Sequence, residues 1–166
     1  MTDYKLTGEV CCPPFDPETM DNKTLSWEDK LFIKDSMPTF FHIPWPPTIG
    51  KLMTRMRGKI EKAKVSPKLE DFICLAYDPT PWRSEYYMTV EKEIPDAENI
   101  KLSGTFITKV FDGPYNSVPK FIKEMEQIAQ EKGKKVLKNY FYYTSCPKCA
   151  KLYGHNYIVA FTQVEG

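Results

Sequence analysis

Residues 104–132 read GTFITKVFDGPYNSVPKFIKEMEQIAQEK, a strand, a Gly-Pro turn and an amphipathic helix in succession. Sixty-nine positions earlier, residues 39–63 read TFFHIPWPPTIGKLMTRMRGKIEKA and follow the same order. The shift sets Ile49, Leu52, Met53 and Met56 on Val118, Phe121, Ile122 and Met125. Without a gap it also sets Phe72 and Ile73 on Phe141 and Tyr142, and Met88, Thr89 and Val90 on Tyr157, Ile158 and Val159. One offset aligns a strand, a helix and two further strands, which reads as an internal duplication of a β-α-β-β unit.

The frame for that reading is a chain of 166 residues, enough for one domain with a hydrophobic core. Apolar residues make up 42% and the mean hydropathy is -0.46, ordinary for a soluble globular protein. The net charge of +1 gives no reason to expect nucleic acid or an anionic membrane as an obligatory partner. No apolar run approaches a membrane span, and MTDYKLTGEV lacks the layout of a signal peptide, so a cytoplasmic protein is expected. Five cysteines, an odd number, argue against a disulfide framework. Ten Tyr, ten Phe and three Trp suit either an aromatic core or an aromatic-lined pocket.

Residues 1–38 read as an extended N-terminal arm packed on the domain, since the prolines of Cys11-Cys12-Pro-Pro-Phe-Asp-Pro forbid a helix there. The domain proper is residues 39–166, with repeats at 39–94 and 100–164. In the first repeat a short β run at Thr39–Ile43 leads through Pro44, Pro46 and Pro47 into a helix ending near Lys64. Its inward stripe is Ile49, Leu52, Met53, Met56, Ile60 and Ala63. Strands at 71–77 and 84–94 follow as a hairpin. In the second repeat a strand at 100–111, with Gly104 as a candidate bulge, precedes a helix capped at Asn116 or Ser117 and stopped by Gly133. Its stripe is Val118, Phe121, Ile122, Met125, Ile128 and Ala129. An aromatic strand at 136–145, a connection at 146–155 and a strand at 156–164 complete the chain. The expected class is α+β, an antiparallel sheet with two helices on one face.

This layout resembles the GyrI-like small-molecule-binding superfamily. The most specific match is GTFITKVFDGPY at 104–115; Tyr77-Asp78-Pro79 followed by Glu85 resembles the family's first hairpin. The pieces CCPPFDP, FFHIP and CPKCAKLYG are also similar to a branch of small bacterial and archaeal proteins described as uncharacterised or as hydrolases. The resemblance implies a pocket between the two halves, lined by aromatics, containing an acidic residue and receiving bulky, often cationic, apolar compounds. Some members are sensor parts of transcription regulators, and a subset hydrolyse strained cyclopropane rings.

Among the residues themselves, Glu85 is the candidate pocket acid, set in Trp82-Arg-Ser-Glu-Tyr-Tyr87. Burial among rings raises a carboxyl pKa unless a cation pairs with it. Glu85 could hold a cationic ligand or act as general base toward water. Trp82, Tyr87, Tyr115 and Tyr143 are candidate ligand walls, whose faces would favour a cation.

Cys146-Pro-Lys-Cys149 offers two thiolates to one tetrahedral metal, zinc being the candidate. Further ligands would come from Cys11 or Cys12 and from His42 or His155, with His42 favoured. A thiol redox pair is the alternative, weakened by the expectation that this motif precedes a turn rather than a helix; plain thiols are another. Cys11 or Cys12 with His42 could also form a nucleophile-base pair. Cys74 reads as buried packing. The primary expectation is a small-molecule binder, the second a hydrolase on the same fold, the third a thiol redox protein. The oligomeric state is not legible in the chain.

Overall fold

The computed structural model describes Cys12 and residues 14–165. Its regular elements are β1 (Thr24–Phe40), β2 (Ile43–Pro44), α1 (Pro46–Ala63), β3 (Cys74–Thr80), β4 (Arg83–Thr89), β5 (Glu98–Asp112), α2 (Val118–Glu131), β6 (Val136–Tyr143), α3 (Pro147–Tyr153) and β7 (Tyr157–Val164). The class is α+β with antiparallel strand pairs. Among the described residues, no helix is long and apolar enough to cross a membrane.

The chain divides into two units. One spans Ser26–Gly104. In it β4 lies between β1 and β3, with Ile33 opposite Met88 and Leu75 opposite Tyr87. Side chains alternate across a strand. Ile33, Asp35, Met37, Ser84, Tyr86 and Met88 therefore share one face, and Phe32, Lys34, Leu75, Glu85 and Tyr87 the other. A 2.6 Å bond from Arg55 Nε to Asp35 Oδ2 sets α1 on the first of these faces. Leu52, Met56 and Ile60 are the buried stripe of α1.

The second unit holds the described residues up to Leu25 and those from Thr105 onward. Here β7 lies between β5 and β6, with Val110 opposite Val159 and Phe141 opposite Ala160. Phe121, Met125 and Ala129 of α2 join Ile107, Phe111, Phe141, Ile158, Ala160 and Val164 in one core. The Phe111 and Phe121 rings stack at 4.1 Å. Each buried side chain of this size contributes about 1.5–3 kcal/mol relative to exposure.

The central strand is β4 in one unit and β7 in the other; β2 in the first and α3 in the second have no counterpart. The three buried positions of α1 and the three of α2 differ by the same 69 positions that align the sequence.

Three local expectations change. The β run expected at Thr39–Ile43 is broken by a turn at Phe41 and His42, both in the left-handed region. The stretch read as an arm to residue 38 becomes, from Thr24, a strand of 17 residues. The adjacent Phe32 and Ile33, on opposite faces, are both buried in it. The connection at 146–155 contains α3, a seven-residue helix. Pro147 opens it and Gly154, at φ +73°, closes it in the left-handed conformation that glycine adopts without strain. A helix this short shows no amphipathic period, so only its end signals were legible.

Candidate functional site

Glu85 is 8% exposed, and its Oε2 lies 2.7 Å from Lys34 Nζ on the neighbouring strand. Tyr87, two residues along on the same face, donates its hydroxyl to the same oxygen at 3.0 Å. The Lys34 ammonium also stands 6.0 Å from the Tyr87 ring centre, and Phe32 meets that ring edge-on at 6.4 Å. Burial acts to raise the Glu85 pKa. Hydrogen bonds from Lys34 and Tyr87, with the charges of Lys34 and Arg83, outweigh it and hold the carboxyl below its ordinary value. The carboxylate is therefore ionised and carries its own cation. Lys34 was missed in the sequence; its only signal was a lysine in register with buried strand positions.

The aromatic candidates separate. Tyr87 stands with Glu85. Trp82 is 52% exposed at the turn after β3 and packs on Phe40 and Phe41 at 5.6 and 4.9 Å. Close by in sequence, Pro38, Thr39, Phe40, Ile43, Pro44 and Trp45 line an apolar cavity of about 510 Å³. Glu85 pairs with Ser36 on β1, two residues before Pro38 at the edge of this groove. Tyr115 and Tyr143 lie in the other unit, their rings 5.5 Å apart, with the Tyr115 hydroxyl donating to Ser145 O at 3.0 Å. Burial, then the neighbouring Cys146 and Cys12, push the Tyr115 pKa up.

The thiols of Cys12, Cys146 and Cys149 lie within 4.8 Å of one another. Cys146 immediately precedes α3, so the C-x-x-C pair does open a helix, contrary to the expected turn. The backbone N–H of Cys146 donates to Cys12 Sγ at 3.3 Å, and the Tyr153 hydroxyl donates to Cys12 O at 2.5 Å. Cys149 is fully buried. Cys11 lies outside the described residues. Neither histidine belongs to this group: His42 Nδ1 is 2.9 Å from Asp78 Oδ2, and His155 Nδ1 is 2.7 Å from Asp112 Oδ2. His155 stacks on Tyr157 at 5.1 Å and, with Pro14, Phe15, Ser145, Tyr153 and Tyr157, lines a cavity of about 180 Å³. No sequence signal links these histidines to their aspartates. Cys74 keeps part of its residue surface exposed, yet burial pushes its thiol up to about 12 against the opposing charge of Arg57.

A family model described as "Bacterial hydrolase" matches residues 2–164. The chain belongs to this bacterial hydrolase family. No curated protein matches it. Solved structures of low identity share its fold, the GyrI-like fold. The EcmrR C-terminal domain is similar at a TM-score of 0.66 and 13% identity, covering 88% of this chain and 98% of that one. SAV2435 bound to tetraphenylphosphonium is similar at 0.53 and 12% identity, covering 89% and 95%. An EcmrR–DNA complex in EcmrR-RPo is similar at 0.65 and 13% identity, covering 86% of this chain and 56% of that one. The expectation of no nucleic-acid partner, drawn from charge balance, therefore finds no support in the fold.

Proposed function

We propose that this family member binds an apolar, cationic small molecule through the Glu85 carboxylate. The observation that carries the reading is a buried, ionised carboxylate already paired with a cation, Lys34, beside the Tyr87 ring. An incoming cation takes the place of the Lys34 ammonium, and the ring face adds a further attraction. The tetraphenylphosphonium complex of SAV2435, a protein of the same fold, supports the ligand class. The repeated strand-helix-strand-strand order and the 69-position match of the buried helix stripes support duplication as the origin of this fold. The test is titration with tetraphenylphosphonium by calorimetry. Glu85→Gln is expected to weaken binding about tenfold or more, about 1.4 kcal/mol. Unchanged affinity in that variant, with the fold intact by circular dichroism, overturns the assignment.

A second reading, hydrolysis of a small toxic or strained-ring compound, is supported by the family's description. A carboxylate held below its ordinary pKa is a weak base at neutral pH. Glu85 would serve as general base only once a neutral substrate had moved Lys34 away and left the carboxylate desolvated. The three thiols suit a thiophilic ion such as zinc, which could assist that reaction or brace the fold.

A further inference from the structure

We infer that Cys12, Cys146 and Cys149 form a thiolate site for one divalent, thiophilic metal of the zinc type, with the fourth coordination position open. The inference is independent of ligand binding at Glu85: either can fail while the other stands.

The geometry is the first argument. Zinc–sulfur bonds of about 2.3 Å in a tetrahedron set the sulfurs about 3.8 Å apart. All three sulfurs already lie within 4.8 Å of one another, so small rotations close them on one ion. A dithiol redox pair uses two sulfurs and leaves the third surplus; a metal uses all three.

Chemistry is the second. The N–H of Cys146 donates to Cys12 Sγ at 3.3 Å and fixes where that sulfur points. Hydrogen bonds of this kind orient the ligand atoms of metal sites. Cys149 is fully buried, where an anionic sulfur is costly unless a cation neutralises it. Metal entry replaces three S–H protons by three metal–sulfur bonds and releases the protons to solvent, so uptake weakens as pH falls.

The third argument concerns the fourth ligand. Neither His42 nor His155 belongs to the group, and each already faces an aspartate. Cys11 lies outside the described residues, and the Cys11→Ser variant below tests it as a fourth ligand. Three protein ligands plus a water or substrate group is the arrangement of zinc centres that exchange ligands. Ser145 precedes Cys146, and Tyr153 holds the Cys12 carbonyl; both also line the 180 Å³ cavity, which a group bound to the metal could occupy in part.

The test uses the full chain without a histidine tag, purified under reducing conditions and reconstituted with zinc. Metal analysis is expected to give about one zinc per chain. Cys12→Ser and Cys149→Ser should each lower it to below about a tenth of that, since each removes a ligand. Cys11→Ser should keep it. Cobalt titration of the unmodified chain should give the thiolate-to-cobalt charge-transfer bands of a tetrahedral site, a readout that does not depend on any variant folding. Three outcomes overturn the inference: no zinc or cobalt bound by the reduced unmodified chain, full zinc in Cys149→Ser, or loss of zinc in Cys11→Ser with the fold intact.

Discussion

Lys34 Nζ sits 2.7 Å from Glu85 Oε2 on facing strands, so the acid expected to receive a ligand's charge already holds one. The side chains are 18% and 11% exposed, which makes the pair more than a surface contact and less than a fully buried one. Removing one partner of a buried pair costs about 3–5 kcal/mol, and the residual solvent here reduces that to about 1–3 kcal/mol. Lys34→Met should therefore lower stability by that amount in urea denaturation. The same variant should bind tetraphenylphosphonium more tightly, because the competing ammonium is gone. Weaker binding by a folded Lys34→Met would show that Lys34 supports the site rather than competing for it.

The same pair gives a pH dependence. Glu85 has a folded pKa below its ordinary value of 4.5, so it contributes stability above that value. That contribution is lost as pH falls through the lower folded value. Unfolding followed from pH 7 down to pH 3 should show an acid-labile component in the unmodified chain. Glu85→Gln should reduce its slope. An identical slope in both chains would assign the acid sensitivity to other carboxylates, such as Asp35 and Asp112, whose pKa values are also lowered.

Leu52 and Phe121 occupy matching places in the two helices, and both are buried. Each large-to-alanine change leaves a cavity, costing about 2–5 kcal/mol for leucine or methionine and about 3–5 kcal/mol for phenylalanine. Leu52→Ala and Phe121→Ala should both destabilise the chain within those ranges by chemical denaturation. Lys51→Ala, on the exposed face one residue away, should cost less than about 0.5 kcal/mol.

Cys74 should react slowly in the native chain. Its thiol is pushed up to about 12, so almost none is thiolate at pH 8. Brief iodoacetamide treatment of the native chain, read by peptide mass spectrometry, should leave Cys74 unmodified until denaturant is added. Rapid native labelling of Cys74 would mean that the β3 region opens readily.

Local elements were largely legible because they depend on local pattern. The 3–4-residue spacing of Leu52, Met56 and Ile60, and of Phe121, Met125 and Ala129, marked both helices and the buried face of each. Proline marked the start of α1, which closes at Lys64, φ 57°. Ser117 stands at the start of α2, as expected for an N-cap, though its side chain makes no capping bond. Strand ends moved by a few residues where no turn residue fixed them. The stretch from Thr24, expected as part of an extended arm, is a regular strand; Glu28-Asp29-Lys30 and Leu31-Phe32-Ile33 run as blocks, so no period of two marked it.

The sequence by itself determined where the two long helices lie and which stripe of each is buried. Those properties follow from periodicity along the chain. Tertiary structure alone decided which charges and thiols meet. Cys12 reaches Cys146 across 134 positions, Lys34 neutralises Glu85 through strand register, and both histidines are turned to aspartates rather than to the cysteines. Side-chain ionisation and metal-ligand geometry depend on distances of a few ångströms between residues remote in sequence. No local period encodes such distances.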